Sequence, residues 1–247
     1  VFQKFALLPH RTVLENTRYG LDIQGIDAAK SNPIARKWID RVGLSGYEDY
    51  YPNQLSGGMQ QRVGLARALA NDADILLMDE AFSALDPLIR MDMQKVLLDL
   101  QAELKKTIVF ITHDLDEALR LGDTIAILRD GAVEQVGTGQ EIVLHPANDY
   151  IAEFVREVNR GRVIRAATVA TPLPEGDVAL PKLRLKGTTT LELAARKLAD
   201  KDVRNATVLD KNGRPMGVID MHTMLTAMVT PAEVDEGDDD LDEEDAA

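Results

Sequence analysis

The sequence predicts an α/β fold, and three observations carry that expectation. The apolar segments ILLM (75–78), TIVFIT (107–112) and TIAIL (124–128) lack polar alternation, as strands covered on both faces of a parallel sheet do. Helical stretches separate them, which is the α/β pattern. ILLM leads directly into Asp79 and Glu80, and TIVFIT into His113, at the carboxyl edge where open α/β sheets bind ligands.

Residues 1 to about 70 read as mainly helical. Ile34, Ala35, Trp38, Ile39 and Val42 recur at helical spacing behind an SNP break, and Gly43 closes the segment. LSGGMQQR (55–62) then opens a second helix, with Ser56 at the N-cap and Met59, Val63, Ala66 and Ala70 on one face. A helix start of this kind turns free N–H groups and about half a positive charge toward an anion, so a phosphate is the natural ligand. Taken by itself, SGG is as well explained by an ordinary capped helix.

Beyond the three apolar segments, VEQVG (133–137) after an RDGA turn reads as the second strand of a hairpin. Residues 156–185, rich in Arg, Thr and Pro, read as a linker with at most one strand. A small αββα unit follows in which TTLELAARKLAD and MHTMLTAMV are helical, and NATVLD and MGVID are strands joined by a KNGRP turn. The expected organisation is therefore a first domain over 1–155, with a helical subdomain at about 10–70, the linker 156–185, the αββα unit 186–230 and a disordered acidic tail 231–247.

The charge of −13 is local. Residues 233–247 hold ten acidic and no basic side chains, which leaves 31 acids against 28 bases in residues 1–232. A nearly neutral body argues against nucleic acid as the main ligand. With no cysteine, disulfides and thiolate metal sites are excluded. No apolar run approaches the roughly 20 residues that span a bilayer, so any membrane role is expected to be peripheral.

The chemistry concentrates in two segments. In DILLMDEAFSALD (74–86) an apolar strand ends in Asp79 and Glu80, whose side chains should point in opposite directions. One carboxylate could serve a phosphate-bound Mg²⁺ while the other polarises an attacking water. Standing alone, the segment is better explained as a buried strand capped by solvated acids. In TIVFITHDLDEA (107–118) a second strand ends at His113, and Asp114 with Glu117 fits an acidic variant of the capping box. His113 falls on the same sheet edge as Asp79 and Glu80, which suits a γ-phosphate contact.

The order Gln3, LSGGMQQR, ILLMDE, SALD and ITHD resembles the Q-loop, signature, Walker B, D-loop and H-loop of ABC-transporter ATPases, the P-loop NTPases that drive transport. FALLPHRTVLEN and DEAFSALDPLIR resemble the ATP-binding subunits of glycine betaine/proline importers, and the αββα unit resembles one CBS repeat. The resemblance implies ATP and Mg²⁺ as cofactors. It implies that Gln3 touches Mg²⁺ and the attacking water, that Ser56, Gly57 and Gly58 hold the γ-phosphate of ATP bound mainly by a second subunit, and that Asp79 supports Mg²⁺. Glu80 would be the general base, Asp86 would lie at the dimer interface and His113 would sense the γ-phosphate. The implied partners are a second copy in a head-to-tail dimer, a membrane permease with a substrate-binding protein or domain, and an anionic membrane surface, at the cytoplasmic face of the membrane.

One motif does not appear. GxxxxGK[ST], whose backbone N–H groups wrap the phosphates of ATP, occurs nowhere; near Gly20–Gly25, Ile26 stands where lysine is required. In the family this loop precedes the Q-loop, so the expectation is a chain truncated just before Gln3. Its sheet should then expose apolar surface beside the His113 strand. The alternative is a non-catalytic regulatory or nucleotide-sensing module without a phosphate loop of its own.

Overall fold

The computed structural model describes Val1, residues 6–173 and residues 179–230. It divides into two compact units, Val1–Glu117 and a second that begins at Ala118.

The first unit starts with helices, as the periodicity predicts: α1 (Val13–Thr17), α2 (Tyr19–Ile23), α3 (Ala28–Arg41) and α4 (Gly57–Ala70). Helix α3 corrects one expectation, because SNP does not break it. The helix begins at Ala28, where the Asp27 carbonyl accepts from Lys30 and Ser31 N–H. Pro33 therefore falls in its second turn and forfeits only the bond to the Ala29 carbonyl. Burial of Ala35, Trp38 and Ile39 against the unit's core offsets that loss, and Gly43 ends the segment at φ +72° as expected. Helix α4 is buried more widely than a one-face pattern implies: Gln61, Gly64, Leu65 and Leu69 join Val63, Ala66 and Ala70 inside.

Strand β1 (Ile75–Asp79) pairs parallel with β2 (Thr107–Ile111), and α5 (Pro87–Leu104) crosses between them. The register sets Met78 beside Phe110 on the inner face, where the Phe110 ring lies 5.5 Å from that of Phe82. The strands are not covered on both faces. Ile75, Leu77, Val109 and Ile111 share the other face and are 57, 64, 48 and 58 % exposed. Apolar runs predict coverage only if something packs there, and among the described residues this face is open. Exposed apolar side chains thus lie on the His113 strand itself, at Val109 and Ile111, and on β1.

Helix α6 (Leu115–Leu121) carries the chain across the unit boundary. In the second unit β3 (Ile125–Arg129) forms an antiparallel hairpin with β4 (Ala132–Gly137). The TIAIL segment is therefore a hairpin strand, a correction to its parallel reading, while VEQVG takes its expected place. Asp130 and Gly131, at φ +51° and +83°, make the tight turn. Helices α7 (Gly139–Leu144) and α8 (Asp149–Phe154) follow.

Residues 156–185 do more than link. They form the short helices α9 (Arg160–Val163) and α10 (Ala166–Val169) and strand β5 (Thr171–Pro172), and lead into β6 (Arg184–Lys186). Ile164 and Ala166 are fully buried in the same apolar core as Leu185, Leu191, Leu198 and Val208. The αββα elements appear as read: α11 (Leu191–Asp200), β7 (Asn205–Leu209), β8 (Pro215–Asp220) and α12 (Met221–Val229). Their sheet runs β5-β8-β7-β6, with only β6–β7 parallel. The acidic tail lies outside the described residues, as does Gln3.

Candidate functional site

The carboxyl edge of β1 and β2 brings together two of the three ionisable residues that the sequence predicts there, Glu80 and His113. Glu80 follows β1 directly, and its N–H donates to the Ile111 carbonyl at 2.9 Å, extending the parallel pairing by one step. Its φ of +41° ends the strand geometry in the left-handed region, which costs a non-glycine residue strain. The turn holds it there: Ser83 N–H and Oγ both donate to the Glu80 carbonyl, at 3.2 and 3.0 Å. His113 Nδ1 then lies 3.2 Å from Glu80 Oε1, with the imidazole 70 % exposed and the carboxylate 29 %. This is a half-buried carboxylate facing a solvent-accessible imidazole, an arrangement able to exchange or orient a proton at whatever lies above the edge.

Asp79 stands apart from that pair. As the last residue of β1 it is exposed on the open face with Leu77, the opposite side from Met78. Its backbone N–H donates at 3.0 Å to the Val1 carbonyl, and Val1 N donates at 2.7 Å to the Leu77 carbonyl. Since alternate strand residues bond to opposite sides, Val1 lies along the edge of β1 away from β2.

The signature segment stands at the start of α4. Ser56 Oγ accepts from Met59 N–H at 3.3 Å, the N-cap expected, and Ser56 and Gly57 are exposed. Gly58 is different. It is buried, and a Cβ there would fall 2.5 Å from Ile89 Cγ2 of α5, so its missing side chain is what lets the two helices approach. Asp86 has an intrachain duty as well: its Oδ1 caps α5 by accepting from Leu88 and Ile89 N–H, each at 3.1 Å. Oδ2 is not used in the cap.

The acidic capping box is half formed. Asp114 Oδ1 accepts from Glu117 N–H at 3.1 Å, but Glu117 does not return the bond. Its carboxylate accepts from Thr112 Oγ1 at 2.7 Å and from Gln94 Nε2 at 3.0 Å, because Glu117 turns inward and is 5 % exposed. Arg90 and Asn16 carry connections that no sequence motif singles out. Buried Asn16 gathers the loop before α1: its Nδ2 lies 3.1, 2.9 and 3.0 Å from the Leu8, Arg11 and Thr12 carbonyls, and its Oδ1 accepts from Leu8 N–H at 2.8 Å. Nearby, Arg67 Nη1 donates to the Ala6 carbonyl at 2.8 Å, and burial holds the Arg67 guanidinium below the ordinary arginine range.

The donor set can be tested against a magnesium nucleotide. Among the described residues no three His, Cys, Asp or Glu side chains converge as a metal cage. Glu80 and His113 together suit the reacting end of a phosphate chain, Asp79 stands apart from them on the open face, and the exposed Ser56–Gly57 helix start suits an anion. Nothing in the sequence supplies the N–H cradle for the remaining phosphates. The residues present thus fit the nucleotide in part.

The ABC transporter family profile matches residues 1–83. The chain is 61 % identical over 169 residues to the glycine betaine transport ATP-binding protein OpuAA of Bacillus subtilis, covering 68 % of this chain and 40 % of that protein. It is 48 % identical over 228 residues to the glycine betaine/proline betaine transport system ATP-binding protein ProV of Escherichia coli, covering 92 % and 56 %. It is also 48 % identical over 229 residues to the trimethylamine N-oxide transport system ATP-binding protein TmoW of Ruegeria pomeroyi, covering 93 % and 66 %. The chain therefore spans about half the length of the curated relatives it matches. A solved ATP-binding cassette, a dimer in a post-hydrolysis state bound to ADP and phosphate, superposes with a TM-score of 0.50 at 37 % identity over 56 % of this chain and 61 % of that one.

Proposed function

Because the chain belongs to the ABC transporter family, with the P-loop NTPase fold of ATP-binding cassettes, we propose that it is the ATP-hydrolysing subunit of an importer for glycine betaine, proline or a related quaternary amine. The observation that carries the activity is the Glu80–His113 contact at the carboxyl edge of β1 and β2. The reading of the solute rests on the names of the relatives, since an ATP-driving subunit need not touch what is carried.

ATP with Mg²⁺ would supply the transferable phosphoryl group and its charge neutralisation. Toward it, Glu80 would hold a water by its carboxylate and His113 would donate to a phosphate oxygen, its ring steadied by Glu80. Asp79 and Gln3 would attend the metal. Ser56, Gly57 and Gly58 would serve a second copy's nucleotide in a head-to-tail dimer, and Asp86 would keep its second carboxylate oxygen for that interface. We assign residues 1–155 to a partial ATPase domain and residues 186–230 to a CBS-like unit, joined through 156–185. The loop from Gln3 to Asn16 would dock on a membrane permease working with a substrate-binding protein or domain, at the cytoplasmic face of the membrane. No helix among the described residues is long and apolar enough to cross it.

The test is uptake of labelled glycine betaine into vesicles that carry the permease with this subunit, with ATP hydrolysis measured in parallel. Coupled uptake and hydrolysis support the reading. Uptake that proceeds without ATP, or hydrolysis indifferent to the permease, would sink it.

A further inference from the structure

Arg90 lies in the first turns of α5, where the helix dipole disfavours a cation. Its Nε is buried and without a hydrogen-bond partner among the described residues. A guanidinium accepted at that cost must be held by something else. Its Nη1 donates to Asp114 Oδ2 at 3.1 Å, and its Nη2 to the Leu85 carbonyl at 3.3 Å. Asp114 directly follows His113, and Leu85 belongs to the Ser83–Asp86 turn that begins with the Glu80 carbonyl. These links close a ring: Glu80 to His113 by the 3.2 Å contact, His113 to Asp114 along the chain, Asp114 to Arg90, Arg90 to Leu85, and the turn back to Glu80.

Capping α6 does not require this. Asp114 caps with Oδ1 alone, and gives its other oxygen to Arg90. We propose that Arg90 is a positioning residue for ATP hydrolysis, setting His113 opposite Glu80 through Asp114 and coupling that pair to the Ser83–Asp86 turn. The inference rests on the proposed ATPase reading for its consequence and on the ring of contacts for its geometry. Arg90 pairs with the Asp114 carboxylate as an ion pair of 3.1 Å. Lysine cannot replace it, because one ammonium lacks the planar fork that reaches a carboxylate and a carbonyl together.

Two measurements test the proposal. The first needs no turnover. The chain has four histidines, so ring resonances of His113 can be followed in the full chain labelled at histidine. Arg90→Ala should move the His113 resonances while those of His145 and His222 stay in place, and Arg90→Lys should move them partway. An unmoved His113 overturns the proposal, whatever the outcome for ATPase activity. The second uses the assembled transporter. Arg90→Ala should lower kcat on the order of 10²-fold, as for a catalytic group misplaced by about 1 Å, with KM for ATP changed less than about threefold. In a His113→Ala background the same substitution should cost nothing more, since Arg90 acts through that ring. A fully additive loss, or one confined to KM, overturns it. A parent transporter that hydrolyses no ATP refutes the proposed function instead and leaves the resonance experiment to decide the positioning.

Discussion

His113 Nδ1 and Glu80 Oε1 lie 3.2 Å apart across the ends of two parallel strands, on a backbone that turns to φ +41° at Glu80. The strain is held by the Ser83 bonds to the Glu80 carbonyl and by the Glu80 N–H bond to Ile111, so the carboxylate is fixed before any ligand arrives. Fixed placement of a base is what proton abstraction from water requires.

On the proposed role of Glu80 as the base, Glu80→Gln should keep the fold and the contact with His113 while removing that base. Turnover by the assembled transporter should fall roughly 10²–10⁴-fold, with ATP-dependent pairing of the subunits retained. Steady-state hydrolysis together with sedimentation of the ATP-bound subunit checks this. Loss of ATP-dependent pairing would show that Glu80 binds rather than activates.

Gly58→Ala tests whether the second signature glycine serves packing as well as phosphate. Its Cβ would fall 2.5 Å from Ile89 Cγ2, so α4 and α5 must separate or Ile89 must shift. The expected destabilisation is about 1–3 kcal/mol, read from the midpoint of urea unfolding. Combining it with Ile89→Ala should cost less than the two changes summed. Strict additivity would mean that the contact is not what limits the glycine.

How much of this was legible beforehand depended on the range of the interaction. Glu80 and His113 could be placed because each ends a short apolar strand, and parallel pairing puts both at one edge. Pro33 misled because a proline in the second turn of a helix looks, in sequence, like one before its start; Asp27, an N-cap residue type, marked the true start, although its side chain makes no cap bond and its carbonyl begins the helix. The open face of β1 and β2 was equally hidden, since an apolar run records what a strand can bury and not what is there to bury it. Gly58 against Ile89, and Arg90 between Asp114 and Leu85, depend on the angle at which helices pack, which no local pattern encodes.

Asn16 provides a test of the docking loop. Its amide joins Leu8, Arg11 and Thr12, and Arg11 is further tied to Asp22 by an ion pair of 3.2 Å. Asn16→Ala should cost about 2–3 kcal/mol, several hydrogen bonds with their backbone partners left buried. If this loop meets the permease, a cysteine placed at exposed His10 should crosslink to it in the parent and much less in Asn16→Ala. The chain has no native cysteine to confuse the result. Equal crosslinking in both would show that the loop's shape does not set the contact.

The last expectation concerns acid and the αββα unit. Asp220 caps α12 by accepting from Thr223 N–H at 2.7 Å. That backbone bond, with burial opposing it, holds the Asp220 carboxyl below the ordinary aspartate value of 3.8. A carboxylate whose folded value is depressed contributes stability that is complete above its unfolded value and is lost as pH falls through the folded one. The loss should therefore begin below about pH 3.8 and grow with further acidification. Glu141, in the cap of α7, is lowered in the same direction by its bonds with Thr138, so a global unfolding curve would mix the two. Hydrogen exchange at the amides of Met224, Leu225 and Thr226 separates them, because those residues belong to α12 alone and Met224 is fully buried. Their protection should decline between about pH 4 and pH 2 in the parent. In Asp220→Asn the cap keeps an acceptor that does not titrate, so protection should be slightly lower at neutral pH and flat across that window. A decline as steep in Asp220→Asn as in the parent would move the acid response of α12 to another group.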